Sequence, residues 1–306
     1  REVLPTPDHI PTPAIQAPEI QVSTPLSESI DQRSVLPFQG GESAAKERLH
    51  QYFWKQDLLR TYKETRNGLI GADYSSKFSA WLSLGCISPR FIYQQVKAYE
   101  KERKKNSSTY WLIFELIWRD FFRFIAKKHG NQLFLPGGLK GSSRSYQNRE
   151  ADFEAWREGN TGFPFIDANM RELKTTGFMS NRGRQNVASF LVHDLKIDWR
   201  WGAAYFESQL LDYDVCSNWG NWNYVAGVGN DPRENRYFNT LSQAKRYDAQ
   251  GEYLKLWVPE LAELPPQLLF DPGSANRSEL SRHGVHLGTT YPYPIVRLGG
   301  KPTPVR

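Results

Sequence analysis

"YWLIFELIWRDFFRFIAKKHG", residues 110–130, is the stretch on which the fold turns. It is apolar almost all round, ends in basic residues and stops at Gly130. The pattern predicts a helix over 111–129, and a helix apolar on every face is central to its domain. Glu115, Arg119 and Asp120 interrupt the run. Glu115 and Trp118 lie on one face at helical spacing. A carboxylate beside a large ring on a buried helix must be paired or protonated, because unpaired burial costs several kcal/mol. An internal Glu115–Arg119 pair with Trp118 as core meets that demand. So does a site in which Glu115 and Trp118 both face a ligand.

Helical patterns extend outward from this run, from Gly41 to about Leu261. "GESAAKERLHQYFWKQ" (41–56) carries an N-cap signal at Ser43. "SAWLSLGCISPRFIYQQVKAYEKERKK" (79–105) divides into two helices at Ser88-Pro89. "FPFIDANMRELKTTG" (163–177) starts at a proline and closes at Gly177. "NRGRQNVASFLVHDLKI" and "WRWGAAYFESQLL" follow. No segment shows convincing strand alternation, so the fold class is all-α. Seven of the 19 prolines fall in residues 1–37, which suits an extended linker or surface-bound arm. The expected organisation is a Pro-rich arm over 1–40, a helical body over 41–262 and an irregular, Pro- and Gly-rich tail over 263–306.

Net charge is +6 over 306 residues, and it is unevenly spread. Residues 1–36 hold two basic and five acidic residues, leaving 37 basic against 28 acidic, or +9, on the remainder. A basic body suits a polyanion such as nucleic acid, although many basic proteins bind none. Cys86 and Cys216 are too few for a disulfide framework or a cysteine-rich zinc site, which points to a reducing, intracellular compartment. No stretch reaches the ~18 apolar residues of a membrane span, and the first residues lack a signal-peptide pattern. Dinucleotide fingerprints, Walker loops and HExxH are absent from the sequence.

Three further stretches carry chemistry. "NRGRQN" (181–186) crowds two arginines and two asparagines at a helix start, which suits an anion site or a solvated cap. "DYSSKFS" (73–79) suits a phosphate cradle or an ordinary N-cap. "LLDYDVCSN" (210–218) brings Asp212 and Asp214 together, to bind a metal, orient an arginine or start a turn. Beyond it, "WGNWNYVAGVGNDPRENRYFN" holds Trp219 and Trp222 among amides and glycines.

Taken as a set, "DYSSKFSAWLSLGCISPR", "FELIWRDFFRF", "EGNTGFPFIDANMRELKTTGFMSNRGRQNVASFLVHDLKIDWRWG" and "SQLLDYDVCSNWGNWNYVAGVGNDPRENRYFN" resemble the FAD-binding helical domain of the DNA photolyase and cryptochrome family. "GNDPRENRYFN" and "YDAQGEYLKLWVPEL" are similar to its DASH cryptochrome branch. The resemblance spans roughly residues 41–262. It implies FAD bound in a helical bowl, with Tyr62, Ser75, Ser76, Lys77, Phe78 and Ser79 about its phosphates and neighbouring atoms. Arg184 would pair with Asp212 above the flavin, Asp214 would lie near flavin and ribose, and Asn218 would face N5. Glu115 would contact adenine and substrate bases, and Trp118 would stack on a flipped pyrimidine dimer. Arg66, Asn181 and Arg182 would lie near the lesion and its phosphate. Gln185 and Tyr224 would line the substrate pocket where double-strand photolyases have Met and Trp. Trp222, then Trp199, then Tyr146 in place of the usual third tryptophan, would carry electrons to the flavin.

The family's α/β antenna domain is expected to be absent from this chain, with only the Pro-rich arm in its place, which suits either a fragment or an antenna-free form. No folate-like antenna pigment is therefore expected, and no metal. The implied activity is light-driven repair of cyclobutane pyrimidine dimers in single-stranded DNA. The alternatives are a signalling photoreceptor that acts through a protein partner and a light-independent structural subunit. Other nucleic acids, or a protein partner in place of the missing domain, are compatible with this reading; a membrane is not. The bacterial cytoplasm, a chloroplast or a mitochondrion is the expected location.

Overall fold

A computed structural model of the chain describes residues 30–142, 144–231 and 236–298, together with His9 and Pro11. Among the described residues there is no strand, only a lone bridge between Leu287 and Tyr291. Helices of six or more residues are α1 (Glu42–His50), α2 (Pro89–Glu102), α3 (Ser107–His129), α4 (Glu150–Glu158), α5 (Pro164–Thr176) and α6 (Asn181–Ser189). They continue with α7 (Trp199–Gln209), α8 (Val215–Val225), α9 (Thr240–Tyr247), α10 (Glu252–Trp257) and α11 (Arg277–Arg282).

Local chemistry explains most boundaries. Ser88 caps α2 by accepting from the Arg90 amide at 3.2 Å, with Pro89 in the first turn. Asn106 and Thr109 close a reciprocal capping box at the start of α3. α5 begins at Pro164 and ends at Gly177, whose φ of 67° is left-handed. Ser43 does not cap α1. Gly41 stands at that N-cap with a φ of 96°, and no side chain bonds there.

The body holds three apolar clusters. One gathers α4 to α8 around Trp156, Trp199 and Trp222. The second packs α9 and α10 with Leu268, Leu280 and Tyr291. The third joins α1, α2 and the start of α3 through Phe53, Tyr99 and Leu112. α5 lies between the first two, giving Met170 and Leu173 to one and Phe165 and Ala168 to the other. It is α5, not α3, that is buried on nearly every face. α3 leaves Tyr110, Ile117 and Phe124 exposed.

Most of the Pro-rich arm lies outside the described residues. Its end is irregular and bound to the body: Val35 is buried, Phe38 packs on Trp81 and Phe178, and the Trp81 indole donates to Gln39 O at 2.8 Å. Residues 263–298, expected to be irregular, include the short helix Pro266–Leu269 and α11. They also supply the core: Tyr291 is 2% exposed and its hydroxyl donates to Asp167 at 2.6 Å. No described helix is long and apolar enough to cross a membrane.

Candidate functional site

The loop ahead of the short helix Ser79–Ser83 is shaped by a residue that the sequence did not single out. Buried Arg48 of α1 donates to the carbonyls of Ala72 (2.8 Å), Ser75 (3.1 Å) and Ser76 (3.2 Å), and pairs with Asp73 at 3.2 Å. These bonds spend the guanidinium on one turn of backbone. Lys77 takes a left-handed φ of 62° there, unusual for a side-chain-bearing residue. Its amine lies 2.9 Å from the centroid of the Tyr74 ring. Phe78 turns its ring into the third cluster, and Ser79 is exposed at the helix start.

α6 starts at Ser180, whose hydroxyl accepts from the Gly183 amide. Gly183 is needed there because a methyl group would collide with Asn169 of α5. The cap projects Arg184, which donates to both oxygens of Asp212 at 2.9 and 3.0 Å and to Met179 O at 2.9 Å. The two aspartates thus divide their work. Asp212 orients an arginine, while Asp214 starts α8 by accepting from the Ser217 amide and pairs with Arg123 at 3.1 Å. Buried Asn218 donates its amide nitrogen to Ala203 O at 2.9 Å, which leaves its oxygen as the free acceptor.

Several buried polar atoms near these groups have no partner among the described residues. They include Tyr74 Oη, Lys77 Nζ, Glu172 Oε1, Gln185 Oε1, Asn186 Oδ1 and Arg182 Nε. Burial holds the Lys77 amine well below the ordinary lysine range, although Glu172 opposes the shift. Burial pushes Glu172 up to about 7 against a hydrogen bond from Tyr253 at 2.7 Å. Tyr74 is likewise pushed up by burial, with Glu172, Arg184 and Asp212 within its field. Groups left unpaired in a buried place are costly, so they mark a place for a polar ligand.

On α3, Glu115 pairs with Arg66, not with Arg119, which instead donates to Leu82 O at 3.1 Å. Burial raises the Glu115 carboxyl in spite of Arg66. Tyr62 is buried within the field of Glu115 and Arg66, and burial pushes its phenol up to about 12. Trp118 meets Tyr224 of α8 edge to face, with centroids 6.2 Å apart at 79°. Arg236 fixes Tyr224 from behind: its guanidinium lies 4.4 Å over the ring and donates to the hydroxyl at 3.1 Å, while Asp231 holds the other end. Arg182 donates to Asn67 at 3.0 Å and lies 4.6 Å over Tyr247. Burial lowers the Arg182 pKa, and the like charges of Arg66, Arg246 and Arg236 lower it further. Asn181 is exposed at the start of α6.

The aromatic side is dry. Trp156 and Trp199 are fully buried and Trp222 is 3% exposed. Trp222 packs on Phe206 at 5.2 Å and Trp156 at 6.4 Å, and Gly202 leaves room for its ring. Tyr146 packs against the same cluster.

A buried lysine amine without an acceptor suits the oxygens of a pyrophosphate, and the free carboxamide oxygens suit the donors of a flavin ring edge. The residues therefore fit FAD, and the fold with this site defines a flavin-binding helical domain. Residues 111–302 match the family of the FAD binding domain of DNA photolyase, and the chain belongs to the photolyase and cryptochrome family, with FAD as its cofactor. A curated relative is the Synechocystis protein "Cryptochrome DASH", 59% identical over 294 residues, which cover 94% of this chain and 60% of the relative. The crystal structure of Synechocystis cryptochrome superposes with a TM-score of 0.86 at 62% identity, covering 88% of this chain and 56% of that one. A class III photolyase from Agrobacterium tumefaciens gives 0.80 at 34%, covering 86% and 54%. The chain thus spans well under two thirds of these relatives.

Arg48, Glu172 and Arg236 were missed as site candidates. Arg48, Glu172 and Arg236 carry no local signal, since each acts on residues far along the chain.

Proposed function

We propose that the protein repairs cyclobutane pyrimidine dimers in single-stranded DNA under blue light. The observation that carries this reading is the Trp118–Tyr224 pair, with the Glu115–Arg66 ion pair one turn back along α3 and Arg236 over the Tyr224 ring. Bound reduced FAD, once excited, would supply the electron that opens the dimer and recover it afterwards. The chain's own residues do the rest. Tyr74, Lys77, Arg184, Asp212 and Asn218 hold and orient the cofactor. Trp118 stacks on the extruded bases. Glu115 offers a carboxyl of raised pKa to them, a contribution that grows in a dry pocket. Arg66 and Arg182 meet phosphates, so binding weakens with salt. Trp222 and Trp199 return oxidised flavin to its reduced form.

The preference for single strands follows from stacking. Extruding a dimer from a duplex costs a few kcal/mol. One aromatic–base contact returns about 1–3 kcal/mol. Tyr224 stands edge-on to Trp118, so the pocket offers one broad plate. The test is repair in matched single- and double-stranded oligonucleotides at one salt concentration. Strong repair of the single strand only is expected, and equal repair of both overturns the preference. No repair of either, in protein that carries FAD, overturns the enzyme reading. A second reading, light signalling through a protein partner, is favoured by the exposed apolar Leu84, Ile117 and Phe124. Light-dependent binding of a partner without repair would support it.

A further inference from the structure

Tyr146 is a poor end for an electron path. An oxidised phenol is strongly acidic, so a tyrosine gives up an electron at neutral pH only if an acceptor takes its proton. The Tyr146 hydroxyl is buried without a partner among the described residues. Burial, with the Asp198 charge behind it, pushes that phenol up to about 12.

Trp219 is better placed. Its ring meets the Trp199 ring at 5.7 Å and 80°, and meets Phe134 at 5.0 Å on another side. It is partly exposed and lines a surface cavity of about 620 Å³ with Trp201, Tyr205 and Arg200. What sets it apart is its hydrogen bond. Trp81, Trp156 and Trp199 donate to backbone carbonyls, which are very weak bases. Trp219 Nε1 donates to the carboxylate of exposed Glu207 at 2.9 Å. Tyr213 shares that carboxylate, which helps to hold it in place.

We infer that Trp219 is the terminal electron donor of the flavin photoreduction path and that Glu207 is the base that takes its proton. The inference rests on the flavin-photoreduction reading above. Bound oxidised flavin, once excited, would take one electron from Trp222. Trp199 refills Trp222, and Trp219 refills Trp199. The Trp219 radical cation then loses its Nε1 proton to Glu207, which leaves a neutral indolyl radical and a protonated carboxyl. Glu207 passes the proton to water. Because the proton has left, the electron cannot simply return. A thiol reductant entering the cavity restores Trp219 with one electron while water returns the proton, and is itself oxidised to a thiyl radical and then a disulfide.

The test is transient absorption of the full chain carrying FAD, in H₂O and D₂O. The wild type should form the neutral indolyl radical, more slowly in D₂O. Trp219→Phe should abolish it. Glu207→Gln keeps an acceptor but removes the base, so formation of the neutral radical should fall by about a hundredfold and lose its isotope effect. Tyr146→Phe should change nothing. Both new sites are at the surface, and unchanged circular dichroism confirms folding. In the flavin-free protein, the Trp219 indole N–H resonance should follow the titration of Glu207 and become pH-independent in Glu207→Gln. If Trp222→Phe photoreduces like wild type, the flavin path itself falls. If Trp222→Phe blocks photoreduction while Trp219→Phe keeps the wild-type radical, or Tyr146→Phe removes it, the inference alone is overturned.

Discussion

The Trp156–Trp199–Trp222 side of the site and the Tyr74–Lys77–Glu172 side differ in how fully their atoms are paired. On the first, rings pack edge to face, and the Trp156 and Trp199 indoles reach carbonyls at 3.0 and 3.1 Å. On the second, an amine, a phenol and a carboxylate oxygen are buried without partners. The three indoles are packed by the chain alone. The other side leaves valences that a cofactor can fill. A flavin-binding domain of this family has use for both, since packed rings hold fixed distances while the cofactor's polar groups need empty valences.

The largest test breaks the packed side. Trp156→Ala should destabilise the protein by about 3–5 kcal/mol, because it empties a fully buried indole site and removes the indole's hydrogen bond to Val187 O. Urea unfolding measures this, and a loss below 1 kcal/mol would show that the cluster is not a continuous core.

The next test titrates the unpaired side. Burial raises Glu172 from 4.5 to about 7 in the folded state. The folded protein therefore holds this proton longer than the unfolded chain. Its stabilising contribution is complete below about 4.5 and is lost as pH rises through about 7. In flavin-free protein the loss should reach roughly 3 kcal/mol, and Glu172→Gln should flatten it. Urea midpoints across that range decide, and equal slopes for both proteins would remove Glu172 as the cause.

A smaller change links packing to function. Gly202→Ala drives a methyl group into the Trp222 ring, at about 1–3 kcal/mol for overpacking. Photoreduction should slow in the same variant, since the first donor moves. Thermal melts and flavin bleaching under blue light report the two effects separately.

The smallest effect has the opposite sign. Lys77→Met removes a buried amine that has no hydrogen-bond acceptor, so flavin-free protein should gain about 1 kcal/mol. FAD affinity, followed by flavin fluorescence, should fall at the same time. A variant less stable without flavin would mean that Lys77 already has a partner in the free protein.

The helices were legible in the sequence because their signals are local. Ser88-Pro89, Pro164 and Gly177 mark boundaries where they were read, since capping and proline geometry depend on neighbours within one turn. Ser43 failed for the same reason seen from the other side: Gly41 offers the chain a conformation that no side-chain cap requires. The family motifs were legible as ordered strings, and the Arg184–Asp212 ion pair that the resemblance implied is formed.

The sequence by itself therefore determined the all-helical class, most helix limits and the family. Tertiary structure decided which helix is central and which charges meet. Hydropathy favoured α3, but α5 is the buried helix: Asp167 finds partners at Thr161, while Asn169 and Glu172 are each paired through one atom, with Phe165 O and the Tyr253 hydroxyl. Glu115 meets Arg66, 49 residues away, instead of Arg119 one turn along. Trp219 meets Trp199 and Glu207 only because α7 and α8 pack together. A helix's own periodicity records which side chains share a face. The partner a buried charge or ring finds depends on which other element that face packs against.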